Sequence, residues 1–99
     1  MSRWIVLAVP VDGVAEASRD ARTVVELEGS PEEATAALIQ TVNTYEHSIR
    51  KVRRRGIFKC SDRSYFLRLR GRIATYGFLI QLAELVHDSD ASTVPQPFT

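Results

Sequence analysis

The chain has 99 residues, of which 44% are apolar and 25% charged, with a formal net charge of +1 and a single cysteine, Cys60. That length holds one domain with one modest core, and the composition excludes global disorder. One cysteine excludes an intrachain disulfide, and one cysteine with two histidines (His47, His87) excludes a Cys-rich zinc site.

The first twenty residues lack the basic head, long apolar stretch and small-residue cleavage site of a secretory signal. Trp4–Val9 is apolar but far shorter than the roughly twenty residues a membrane helix needs. A cytoplasmic location is the expectation, and neither a cofactor nor a metal is expected. Residues 1–88 are expected to form the domain.

Trp4-Ile5-Val6-Leu7-Ala8-Val9 reads as a strand stopped by Pro10. Its unbroken apolar character predicts a strand covered on both faces. Asp12-Gly13 signals a turn, and residues 14–21 fit either a short helix or a loop. Thr23–Glu28 reads as a second strand, with Val25 and Leu27 on one face and Val24, Glu26 and Glu28 on the other. Gly29 ends it.

Ser30-Pro31-Glu32-Glu33 is a helix start. Ser30 can cap the free amides, Pro31 suits the first helical position, and Glu33 completes a capping box. The spacing of Ala34, Leu38, Val42, Tyr45, Ile49 and Val52 predicts one helix running to about Arg54 or Arg55, with Gly56 as its stop. This stripe fits a helix lying on a sheet better than a coiled-coil seam, because the heptad lasts only about two repeats. The basic residues at its end would suit a helix C-terminus.

Ile57–Cys60 reads as a short strand, in which Cys60 would be a small core side chain. Ser61-Asp62-Arg63 closes a hairpin into Ser64–Arg70, where Tyr65, Leu67 and Leu69 face one way and Phe66, Arg68 and Arg70 the other. Residues 73–88 read as a second helix with a narrow polar stripe of Gly77, Gln81, Glu84 and Asp88. The rival is a tight turn at Gly71-Arg72 into a strand over 73–80, favoured by its β-branched and aromatic residues and by Gly77, followed by a short helix from 81. Residues 89–99, with Pro95 and Pro97, read as a flexible tail. The predicted fold is α+β: a small, mostly antiparallel sheet of about four strands in β-β-α-β-β-α order, with two helices on one face.

The near-neutral total hides a polarised chain. Residues 50–72 carry ten of the thirteen Lys and Arg residues and one acid, a net of +9. Acids dominate both flanks. Within the basic segment, Arg53, Arg54, Arg55, Arg63, Phe66, Arg68, Arg70 and Arg72 are the candidate anion- or partner-binding residues. Arginines with an aromatic ring on one strand face can hold an acidic protein surface, or stack on bases while pairing with phosphates. The competing reading neutralises them at home, with Glu26 and Glu28 opposite Arg68 and Arg70 on a neighbouring strand.

The second helix would be apolar around most of its circumference, which predicts a homodimer through Tyr76, Phe78, Leu79, Leu82, Leu85 and Val86. No spacing of Ser, Cys, His or Asp orients a base onto a nucleophile, and no glycine-rich loop opens a helix. These features together predict a non-enzymatic regulatory or protein-interaction module, homodimeric, that engages an acidic partner through its basic segment. The alternatives are a sequence-tolerant RNA or DNA binder, and a small-ligand binder or enzyme with a pocket between sheet and helix.

Overall fold

The computed structural model describes residues 2–13, 20–47, 49 and 51–89. The described elements are β1 (Ser2–Asp12), β2 (Arg22–Gly29), α1 (Pro31–Thr44), β3 (Arg54–Ser61), β4 (Ser64–Arg70) and β5 (Thr75–Glu84). They build one antiparallel sheet in the order β2-β1-β5-β4-β3, with α1 packed on one face. The class is α+β as expected. The described residues form five strands and one helix in ββαβββ order, replacing the expected four strands and two helices. Residues 14–19, read as helix or loop, and 90–99, read as tail, lie outside the described residues.

β1 runs past Pro10 to Asp12, and the sheet absorbs the proline with a register irregularity between Pro10 and Asp12 opposite β5. A bulge lets an amide-less residue sit in a strand without costing a ladder bond. Trp4, Val6 and Ala8 point to the helix and are fully buried. The Trp4 indole N–H donates to the Gly29 carbonyl at 3.2 Å, which ties β1 to the point where β2 hands over to the helix.

The helix start is built as the sequence predicts. Ser30 Oγ accepts from the Glu33 amide at 3.2 Å, and Glu33 Oε1 accepts from the Ser30 amide at 3.1 Å. The helix end is not. It stops at Thr44, about ten residues early, with Tyr45 as the extended C-cap. Its last turn is Thr41-Val42-Asn43-Thr44, all poor helix formers. Thr41, Asn43 and Thr44 also turn their side chains back onto the carbonyls of Ala37, Ile39 and Gln40. The apolar stripe nevertheless keeps its face: Ala34, Leu38, Val42 and Tyr45 are buried, and Ile49 and Val52 pack against the same core. The second half of the stripe therefore does its work as a crossing segment rather than as helix.

Residues 73–88 are not the expected second helix. A strand stands here, as in the rival reading, but β5 occupies 75–84 and continues through the residues from 81 where that reading placed a short helix. It is entered by a turn in which the Gly71 amide donates to the Ala74 carbonyl at 2.9 Å. Phe78, Ile80 and Leu82 are in the core and Gly77, Leu79, Gln81 and Ala83 alternate onto the opposite face. β-branched and aromatic residues at period two override the helical spacing of the polar ones. β5 is the central strand, with β1 on one side and β4 on the other.

The face away from the helix has no second layer among the described residues. Ile5, Leu7, Val9, Leu79 and Phe66 lie on it and are only half-buried. The expectation that β1 is covered on both faces is thus met on one.

Arg55 links the strands to the helix. Its Nη1 donates to the carbonyls of Val42 and Tyr45 at 3.1 and 2.8 Å, supplying to the helix C-terminus the cation that its own last turn lacks. Arg55→Ala should cost about 1–2 kcal/mol in urea unfolding, with Arg55→Lys recovering part of it. Equal stability of wild type and Arg55→Ala would show that the contact contributes nothing.

His47 sits just past the helix with φ 45°. Its Nδ1 is 2.7 Å from the Tyr45 hydroxyl, and its ring lies 4.7 Å from that of Phe78. Burial, and secondarily the charge of Arg22, hold its pKa below the ordinary 6.5. The unfolded chain therefore binds the proton more readily, so the contribution is complete above about pH 6.5 and is lost as pH falls through the depressed value. The thermal midpoint of wild type should fall between about pH 7 and pH 5.5 by more than that of His47→Gln. Parallel curves for the two proteins would remove His47 as the cause.

Candidate functional site: a basic, aromatic corner of the uncovered sheet face

The basic segment does not form one patch. β3 and β4 send alternate side chains to opposite faces, and the turns at their ends carry the rest. Arg54, Arg68 and Arg70 converge on the uncovered face, where with Gly56, Phe58 and Thr75 they line a shallow concavity of about 230 Å³. Arg55 goes to the helix side and caps α1. Arg63, in the β3–β4 turn, lays its guanidinium 5.1 Å from the centre of the Trp4 ring. Arg53 and Arg72 join Lys51 around a separate groove of about 720 Å³ lined also by His47, Ile49 and Tyr76.

Arg68 is the centre of the first cluster. Its guanidinium lies over two rings, 5.0 Å from the centroid of Phe58 and 5.8 Å from that of Phe66. Its cross-strand neighbours are Gly56 on β3 and Gly77 on β5. Both glycines give the rings room. A Cβ on Gly77 would come within 2.7 Å of the Phe66 ring, and one on Gly56 within 3.3 Å of the Phe58 ring. The rings lean over these gaps and flank the Arg68 stem. Cation–π contacts of this kind contribute about 0.5–1 kcal/mol at exposed sites and fix a long side chain in one place.

Arg54 and Arg70 are directly opposite on β3 and β4. Like charges in that position repel. No carboxylate among the described residues comes within ion-pair distance of Arg54, Arg68 or Arg70. Asp12 is the nearest acid by register, opposite Gly77 and so two strands from Arg68.

The expected neutralisation by Glu26 and Glu28 does not occur. β2 is an edge strand, and β1 and β5 separate it from β4. Glu26 instead bonds Arg3 on the adjacent strand, with Nη2 and Oε1 3.0 Å apart, and Asp88 lies 3.9 Å from the same guanidinium. The two charge clusters end up at diagonally opposite corners of one face.

The residues expected at a dimer interface do not share a surface. Phe78 and Leu82 belong to the core of their own chain, and Tyr76 packs against it. Leu79 lies on the uncovered face, and Leu85 and Val86 are exposed beyond the end of β5. A helical stripe placed them together; a strand separates them by alternation.

Cys60 is exposed on edge strand β3 rather than in the core, with Sγ 3.9 Å from the carbonyl of Phe58. His87 follows β5. No cluster of three or more potential metal ligands occurs among the described residues, and none of their helices is long and apolar enough to cross a membrane.

Sequence reasoning missed Phe58, Gly56 and Gly77 as parts of the site. The signal was present, since Arg54, Gly56 and Phe58 fall on one face once β3 is begun at Arg54 rather than at Ile57. Comparison with protein-family models, with curated proteins and with solved structures found no match.

Gly77→Ala tests how the Arg68 stack is built. The tip of the Phe66 ring can move, and alanine suits a strand better than glycine, so stability should change by less than about 1 kcal/mol. The upfield ring-current shift of the Arg68 side-chain protons should shrink as the ring is displaced. An unaltered shift would mean that Gly77 does not set the ring's position.

Proposed function

We propose that this protein is a non-catalytic interaction module whose contact surface is the uncovered sheet face. Arg54, Arg68 and Arg70 receive carboxylates of an acidic protein surface, while the apolar centre of the face supplies buried area. One observation carries the reading: three arginines, two of them directly opposed, meet no carboxylate among the described residues. Such a cluster stays in a strand pair only against a repulsive cost that an incoming anion relieves.

The surroundings favour a protein as that anion's carrier. Phe58 and Phe66 adjoin the arginines and Leu79, Val9 and Leu7 continue the apolar surface from them, and aromatic residues and arginine are the usual anchors of protein interfaces. A single-stranded nucleic acid is the second reading. The exposed Phe58 ring favours it, since a base can stack there beside a guanidinium that is already held in place.

A labelled polyglutamate peptide and a labelled oligo-dT of equal charge separate the two. Polyglutamate should bind, and Arg68→Ala with Arg70→Ala should weaken it by about tenfold or more. Stronger binding of oligo-dT, abolished by Phe58→Ala, would transfer the function to nucleic acid. Binding of neither probe at low salt would end both readings.

A further inference from the structure

We infer that the acidic partner of this face is the same face of a second copy of the chain. The inference rests on the reading of that face as a contact surface and names its occupant.

The charges on the face are arranged to match themselves. One corner holds Glu26 and Glu28 on β2, beside Arg3 on β1. The diagonally opposite corner holds Arg54, Arg68 and Arg70, with Asp12 two strands away. An apolar band of Ile5, Leu7, Val9, Leu79 and Phe66 runs between them. Three strand spacings and roughly seven residues separate the corners, or roughly 14 Å across the strands and 23 Å along them.

A two-fold axis lying between two such faces, perpendicular to the line that joins the two corners, exchanges them. Each acidic corner then meets a basic one, and both contacts are identical, as an isologous dimer requires. The same operation turns the strands of one sheet steeply across those of the other. The crossing angle is roughly 60°, between the aligned and orthogonal modes of sheet stacking, and the apolar bands of the two faces meet at the centre. A two-fold axis parallel or perpendicular to the strands would leave the charged corners unmatched.

The area suffices. Five strands at ~4.8 Å spacing and about seven residues at ~3.3 Å give a face of roughly 550 Å². Two copies would bury roughly 1,100 Å², just above the ~1,000 Å² that a specific interface needs. The acidic corner also contains a hollow of about 340 Å³ bounded by Arg3, Ile5, Glu26 and Ala83, so it is not flat. The dimer would complete a two-sheet sandwich with a helix on each outer side.

Charge exchange tests this. Sedimentation equilibrium of the full chain, from about 1 μM to about 1 mM, should show a monomer–dimer equilibrium that weakens with salt. Arg68→Glu with Arg70→Glu should weaken association by about 100-fold, and Glu26→Arg with Glu28→Arg should do the same. An equimolar mixture of the two variants should dimerise, because every contact in the mixed dimer is again opposite in sign. The chain carrying all four changes should dimerise with itself. Leu79→Lys, at the centre of the face, should be monomeric with an unchanged circular dichroism spectrum.

A monomer at every concentration overturns the inference. So does a dimer indifferent to these charges, which would point to pairing along the edge of β2 or β3. If the chain is monomeric yet still captures polyglutamate through Arg68 and Arg70, the contact surface stands and its partner is another protein. If polyglutamate also fails to bind, the reading of the face itself has failed.

Discussion

β5 is the constraint on which the rest depends. Its register fixes β1 on one side and β4 on the other, so the N-terminal pair β1–β2 and the pair β3–β4 become one sheet only through it. The core follows from that joint. Phe78, Ile80 and Leu82 sit between Trp4, Val6 and Ala8 on one neighbour and Leu67 and Leu69 on the other. A strand buried among strands on both sides needs apolar, β-branched and aromatic residues on successive positions, and 73–83 supplies them. The same density of apolar residues makes this stretch resemble a helix when read alone.

A single helix cannot cover a sheet of this width. At 1.5 Å per residue α1 spans about 21 Å, and its buried residues pack toward β1, β2 and β5. The chain solves half of the problem by ending the helix at Thr44 and continuing as an irregular segment that carries Ile49 and Val52 to the same core. Arg55 closes the arrangement by bonding the carbonyls that the shortened helix leaves open. Nothing described plays the corresponding part on the opposite face. The asymmetry between the two faces is therefore a consequence of element count, and it precedes any argument about charge.

Much of this was legible in the sequence where one rule acted alone. The capping box at Ser30 and Glu33, the end of β2 at Gly29, the hairpin at Ser61–Ser64 and the facing of Leu67 and Leu69 against Arg68 and Arg70 are all local. The failures share a cause. The stripe from Ala34 to Val52 correctly identifies which side chains face the core, but facing the core does not require helix, and the weak formers from Thr41 to Thr44 were outvoted by the spacing. In residues 73–88 two periods competed, and the polar positions at helical spacing obscured the alternation of Phe78, Ile80 and Leu82. That error also produced a dimer stripe whose members the structure divides between core and surface. Strand order was not legible at all, because no local signal says that β1 and β5 stand between Glu26 and Arg68.

Strand order also decides the electrostatics. β2 and β4 are three spacings apart, roughly 14 Å before the offset along the strands is counted. At physiological ionic strength, exposed charges separated by more than about 8 Å are largely screened from one another. The acidic and basic corners of one molecule are therefore nearly independent, and neither can relieve the other. Arg54 and Arg70 meanwhile remain in cross-strand contact, where screening is weak and their repulsion persists. Moving β2 beside β4 would have neutralised the cluster within the chain. The order β2-β1-β5-β4-β3 instead leaves the basic corner without a carboxylate in ion-pair distance among the described residues, and it places the apolar band directly between the two corners.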